Sequence, residues 1–168
     1  NVGADASTSI KKSEGEFLIS SVGYKFTFNY LDDFVMPTEG RKFSVGQTYS
    51  GVGGDVYSIA TEAEYIEFFP IVDDDVVLSL GGDVGYIFGL GEDVILSQRY
   101  KIGGRSFRGF EKSGIGPRDE PSGDGLGANV YAVAKAEVRF PLGFPEEFGL
   151  VGRTFVYAGT ATGIDDND

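Results

Sequence analysis

The 168-residue sequence contains no cysteine and no histidine. Without cysteine there is no disulfide framework, no thiolate metal site and no thiol nucleophile. Without histidine the usual general base and the commonest metal ligand are both missing. Basic residues are also scarce: 14 Lys and Arg against 26 Asp and Glu leave a net charge of −12. A chain this acidic has little with which to neutralise phosphates, so nucleic acid is not an expected partner. No nucleophile–base pair stands out, and neither an enzyme nor a cofactor is expected. Gly104 and Gly109 have the spacing of a phosphate-binding loop, but Phe110 and Glu111 stand where Lys and Ser/Thr belong. Asp73-Asp74-Asp75 lacks the Gly and Glu spacing of a calcium loop and reads as a charged tight turn. No run approaches the roughly 20 apolar residues of a transmembrane helix. Strands, however, cross membranes with a far weaker hydropathy signal.

What the chain does have is 26 glycines, 14 phenylalanines and 9 tyrosines. The aromatic content separates it from a disordered Gly-rich linker. Apolar residues recur with period 2 and hardly anywhere with period 3.6, which predicts strands. In 77-VLSLGGDVGYIFGL-90 one face carries Leu78, Leu80, Gly82, Val84, Tyr86, Phe88 and Leu90, and the other Val77, Ser79, Gly81, Asp83, Gly85, Ile87 and Gly89. The segments 17–31 and 131–140 repeat the pattern, and weaker strands are expected over about 41–50, 56–69 and 149–160. Breaker-rich turns fall at 32–40, 51–55, 70–75 and 141–149. The count is six strands, or seven if 94–101 is counted separately, joined as an up-and-down meander.

Which face is wet decides the class. The polar faces are rich in Gly, Ser and Thr with a few embedded charges, whereas a soluble sandwich usually shows dense Lys and Glu. The apolar faces place Tyr24, Tyr30, Tyr86 and Phe140 near strand ends, where a membrane interface favours aromatics. The expected fold is therefore an all-β, antiparallel, up-and-down transmembrane β-barrel. Turn parity puts the short Pro-containing turns at one end and the one very long connection, about 91–128, at the other, as in outer-membrane barrels. Six or seven strands are too few for a typical closed bacterial barrel, and an open edge cannot face lipid. Together with ends that read as cut, Asn1 and 165-DDND-168, this predicts that residues 1–168 are part of a single, larger barrel domain.

The long connection is the most basic and Gly-punctuated segment, 99-RYKIGGRSFRGFEKSGIGPRD-119. Its "GGRSFRGF" followed by "GIGPRD" resembles the long sixth extracellular loop of the BamA family of outer-membrane protein assembly factors. Arg108-Gly109-Phe110 matches that family's Arg-Gly-Phe/Tyr hallmark. The turn 28-FNYLDDFVMPTEG-40 and the strand 132-AVAKAEV-138 are similar to family segments in the same order and spacing, so the resemblance spans roughly 20–160. It implies a C-terminal barrel of about 16 strands. It also implies a loop folded into the lumen, with its arginine latched to acidic residues of the inner wall. Glu137 matches one such position. The second lies in an F-x-D-x-G pattern, where 155-FVYAG-159 has Tyr157, leaving a hydroxyl or ring contact as the substitute.

The residues alone leave other readings open: Arg108 as a solvated loop arginine, and Glu137 as one rung of a Lys135–Glu137–Arg139 ladder. Glu62 and Glu64 read as lumen solvation. The implied function is insertion of β-barrel proteins into the outer membrane of a Gram-negative bacterium. The implied partners are outer-membrane lipid, unfolded outer-membrane protein clients and accessory lipoproteins. A related two-partner-secretion pore and a soluble β-barrel binding protein are the alternatives.

Overall fold

The computed structural model describes residues 18–72, 75–120 and 122–164. Phe17, Asp73, Asp74 and the 165–168 tail lie outside the described residues. Six strands follow one another: β1 (Ser21–Leu31), β2 (Gly40–Ser50), β3 (Ser58–Val72), β4 (Val76–Gly89), β5 (Val130–Pro141) and β6 (Val151–Thr162). They form one antiparallel sheet in sequence order, β1 to β6, an up-and-down meander. The only helical element among the described residues is a 3-10 turn at Glu146–Phe148. No described helix is long and apolar enough to cross a membrane.

Several strand limits differ from the sequence expectation, β6 by two residues at each end, and three departures have a clear local reason. β1 begins at Ser21 because Leu18 and Ser20 are bonded elsewhere: their carbonyls accept from Asp55 N and Gly51 N at 2.8 and 2.9 Å. β3 runs to Val72, through Pro70, which was read as a breaker. The register shifts by a bulge between Pro70 and Val72, and bulges and strand ends are where a residue without an N–H is tolerated. The segment 94–101 forms no strand. Tyr100 makes a single bridge to Ala128, and the Gln98 side chain ties the segment to the ends of β2 and β3 through Ser50 and Ser58, both at 3.0 Å.

Residues paired across a ladder share a face, so the registers sort the whole sheet. One row reads Thr27, Ser44, Glu64, Asp83, Val133, Gly159. The adjacent row on the opposite face reads Phe26, Val45, Ala63, Val84, Ala132, Thr160. Among the described residues nothing packs on the apolar face: Val22, Tyr24, Phe26, Phe28 and Tyr30 are all more than half exposed. The buried cluster lies on the other face, where Ile102, Phe107 and Ala128 of the β4–β5 connection meet Val133 and Ala161 of the sheet. The usual arrangement is thus reversed, with the apolar face bare and the polar face covered. Strands of 11 to 15 residues are long enough to cross a bilayer core of about 30 Å when tilted.

Candidate functional site

The connection between β4 and β5, residues 90–129, folds back over the polar face and is organised by its own backbone. Bridges Tyr100–Ala128, Ile102–Ile115 and Arg118–Gly125 make it an irregular hairpin. Arg118 braces its outer part, donating to the Gly123 carbonyl at 3.0 Å and to Glu111 at 3.1 Å. Gly103 is required at its turn: φ is +137°, and a Cβ there would lie 1.9 Å from the Glu111 carbonyl oxygen.

Apolar packing seats the loop on the wall. Phe107 is 5 % exposed and meets Phe110 and Tyr157 edge to face, at centroid distances of 5.2 and 5.8 Å. Gly159 of β6 leaves the space it fills, since a Cβ there would come within 2.9 Å of the Phe107 ring. Tyr100 packs edge to face on Tyr131 at 4.7 Å, over Gly85, where a Cβ would strike both rings. Burial, followed by the nearby Glu62 charge, pushes the Tyr100 hydroxyl well above its ordinary range, so it stays protonated.

This seating carries Arg108 to the wall. Its Nη1 donates to Glu137 Oε2 at 3.0 Å, and its guanidinium lies over the Phe155 ring at 5.1 Å and near the Tyr157 ring at 5.9 Å. Glu137 Oε1 accepts from Arg153 Nη1 at 2.9 Å, so each carboxylate oxygen holds one guanidinium. The Glu137 side chain is 15 % exposed, while both arginines remain nearly half exposed. The cluster is therefore an ordered contact at a wet surface, in which planar guanidinium groups match carboxylate and aromatic faces.

Arg108, Glu137 and Tyr157, singled out in the sequence, come together here. Tyr157 takes part through its ring. Gly109 has φ +93° with open space around it, so it serves backbone conformation alone. Phe110 is half exposed and rests on Phe107. Arg139 and Lys135 do not form a ladder with Glu137: Lys135 pairs with Asp83, and Arg139 turns to the β1–β2 connection. Glu64 accepts from Ser44 at 3.3 Å and lies 3.9 Å from Lys25.

Sequence reasoning missed Phe107, Phe155 and Arg153. Arg153 and Phe155 were within reach of it. Once β5 and β6 are paired, Phe155 stands opposite Glu137 and Arg153 is its neighbour two residues along the same face. Among the described residues no group of His, Cys, Asp and Glu is arranged to hold a metal ion.

A bare apolar face, a polar face with paired charges and a long loop seated on it define the wall of a transmembrane β-barrel. The family model described as the Omp85 superfamily domain matches residues 2–168, and the chain belongs to that superfamily of outer-membrane barrels. It is 36% identical over 166 residues to an outer membrane protein assembly factor BamA of Neorickettsia risticii, covering 98% of this chain and 22% of that protein. It is 32% identical over 154 residues to a sorting and assembly machinery component 50 homolog of Mus musculus, covering 89% of this chain and 32% of that protein. The crystal structure of BamA from Haemophilus ducreyi lacking POTRA domains 1-3 has the same fold. Its TM-score is 0.76 at 23% identity, over 84% of this chain and 29% of that one. The chain thus spans about a fifth to a third of these relatives' lengths. Family and fold set aside the soluble binding protein considered from sequence.

Proposed function

We propose that this chain is a section of the barrel domain of an outer-membrane protein assembly factor, an insertase that helps β-barrel proteins fold into the bilayer. The observation that carries the reading is the 90–129 loop, seated on the inner wall with Arg108 on Glu137 at 3.0 Å. In an insertase no chemical step is required. Strand pairing and burial of apolar faces in lipid drive the client's folding, and the host barrel lowers the barrier. The loop then acts as a lumenal latch that keeps the wall in one shape while strands are exchanged elsewhere in the barrel. Its partners are outer-membrane lipid, unfolded outer-membrane protein clients and accessory lipoproteins of an assembly complex. The membrane is the outer membrane of a Gram-negative bacterium, a reading supported by the higher identity and coverage of the bacterial relative over the mouse one. The related secretion-pore reading has less support, because the relatives above are named for assembly.

Charge reversal tests the latch. In the full-length protein Arg108→Glu should impair outer-membrane protein assembly and the protein's own heat-modifiable migration, with partial rescue by adding Glu137→Arg. Unchanged assembly and migration in the single variant would sink the latch reading.

A further inference from the structure

Arg139 lies on the same face of β5 as Glu137, two residues along. Its Cα partner on β6 is Arg153, a pairing that is unfavourable for like charges, and the two guanidinium groups diverge, Arg153 binding Glu137 and Arg139 turning away. With Arg108, three arginines share the face that carries Glu137, and two of them bind it. Each Glu137 oxygen accepts from one guanidinium, Oε2 from Arg108 and Oε1 from Arg153. Arg139 points the other way. Its Nη2 donates to the Pro37 carbonyl at 3.0 Å, and its Nη1 lies 3.9 Å from the Met36 sulfur.

Those residues belong to the 32–39 connection between β1 and β2, and three strands separate β1 from β5. The connection therefore crosses the polar side of the sheet at the end opposite the long loop. It arrives as a preformed unit. Asp32 accepts from Thr38 N, Thr38 Oγ1 and Glu39 N, and Asp33 Oδ1 from Val35 N and Met36 N at 2.6 and 2.7 Å. A cavity of about 380 Å³ separates it from the β5–β6 connection, with Met36, Asp75, Arg139, Pro141 and Phe144 on its wall.

We propose that Arg139 is a strut for the 32–39 turn, and that the strut is coupled to the loop latch through Glu137. While two guanidinium groups offset the Glu137 charge, Arg139 donates to the neutral Pro37 carbonyl instead. When Arg108 leaves, the carboxylate two residues away loses one of its two positive partners and draws Arg139 more strongly. A charged acceptor forms a bond about twice as strong as a neutral one, so Arg139 exchanges partners and the turn loses its hold. Release of the loop at one end of the barrel thereby loosens the turn at the other. The coupling depends on this charge count and not on insertase function.

The test uses the full-length protein in lipid bilayers on a cysteine-free background, with spin labels at Val35→Cys and Leu142→Cys and their distance distribution measured. A heat-modifiability gel checks that each barrel is folded. The starting protein should give one narrow distance population. Arg139→Gln should broaden it while trypsin protection of the 90–129 loop is unchanged. Arg108→Gln should broaden it as well, although neither the strut nor the turn has been altered. Adding Glu137→Gln to Arg108→Gln removes the competing charge and should restore the narrow population. A narrow distribution in Arg139→Gln overturns the strut. A narrow distribution in Arg108→Gln, or a broad one in the double variant, overturns the coupling.

Discussion

Arg108 and Phe107 are neighbours in sequence but contribute differently to holding the loop. An ion pair between partly exposed groups contributes about 0–1 kcal/mol, whereas burying a phenylalanine contributes about 1.5–3 kcal/mol. Phe107 is therefore the anchor and Arg108 the locator. Phe107→Ala should expose the loop to trypsin at Arg105 and Lys112, cost about 3–5 kcal/mol in the fully buried limit, and lower the unfolding midpoint more than Arg108→Ala does. Limited proteolysis and thermal unfolding in detergent check the order, and equal effects would contradict it. Two glycines make a second comparison. Gly109→Ala meets only the cost of a left-handed conformation, about 1–2 kcal/mol. Gly103→Ala meets that cost and also a backbone carbonyl 1.9 Å from the new Cβ. The same proteolysis assay should show the loop intact in the first variant and open in the second. Glycine frequency marked the loop as special, but it could not rank the two positions. The difference lies in what stands 1.9 Å away, which is a tertiary fact.

At the scale of elements, the 32–39 turn is held by carboxylates. Hydrogen bonding, chiefly from the Thr38 hydroxyl, lowers the Asp32 pKa from 3.8 to about 2, and bonds from the Met36 and Val35 amides lower that of Asp33. A lowered pKa means that the stabilisation is full above the ordinary carboxylate value. It is lost as pH falls through the lowered one. The turn should therefore be unchanged from pH 7 to about pH 4 and loosen between that point and about pH 2. Carboxyl chemical shifts of the two aspartates, followed through an acid titration, would report it. In Thr38→Val the Asp32 midpoint should move up toward 3.8; a midpoint that stays near 2 would mean that the hydroxyl is not the cause. The strands themselves were legible from period-2 alternation, with limits off by a few residues. The errors fell where one residue had two roles. Pro70 is a breaker by composition and a strand residue by position, because a bulge there absorbs the irregular pairing.

Over the whole molecule, the sheet leaves its apolar face and both edge strands, β1 and β6, uncovered among the described residues. A soluble domain does not expose this much continuous apolar surface, and open edges pair with other chains. Residues 1–168 expressed alone should therefore associate in aqueous buffer. Within the longer barrel proposed above and in detergent, they should run as a heat-modifiable monomer. Size-exclusion chromatography of the two preparations decides it, and a monodisperse, cooperatively unfolding segment in detergent-free buffer would contradict the membrane assignment of the apolar face. Alternation alone determined the strands, the two faces and the parity that sends the long connection to the end opposite the short turns, because side-chain direction in a strand depends only on position. The Arg-Gly-Phe motif and its likeness to a known family added the expectation that Arg108 meets Glu137. Only the tertiary structure decided that Glu137 also holds Arg153, that Phe107 fills the space Gly159 leaves, and that Arg139 turns to a connection 102 residues away. Those contacts depend on strand register and on how far each loop reaches across the sheet, and neither is written in the local pattern of any one segment.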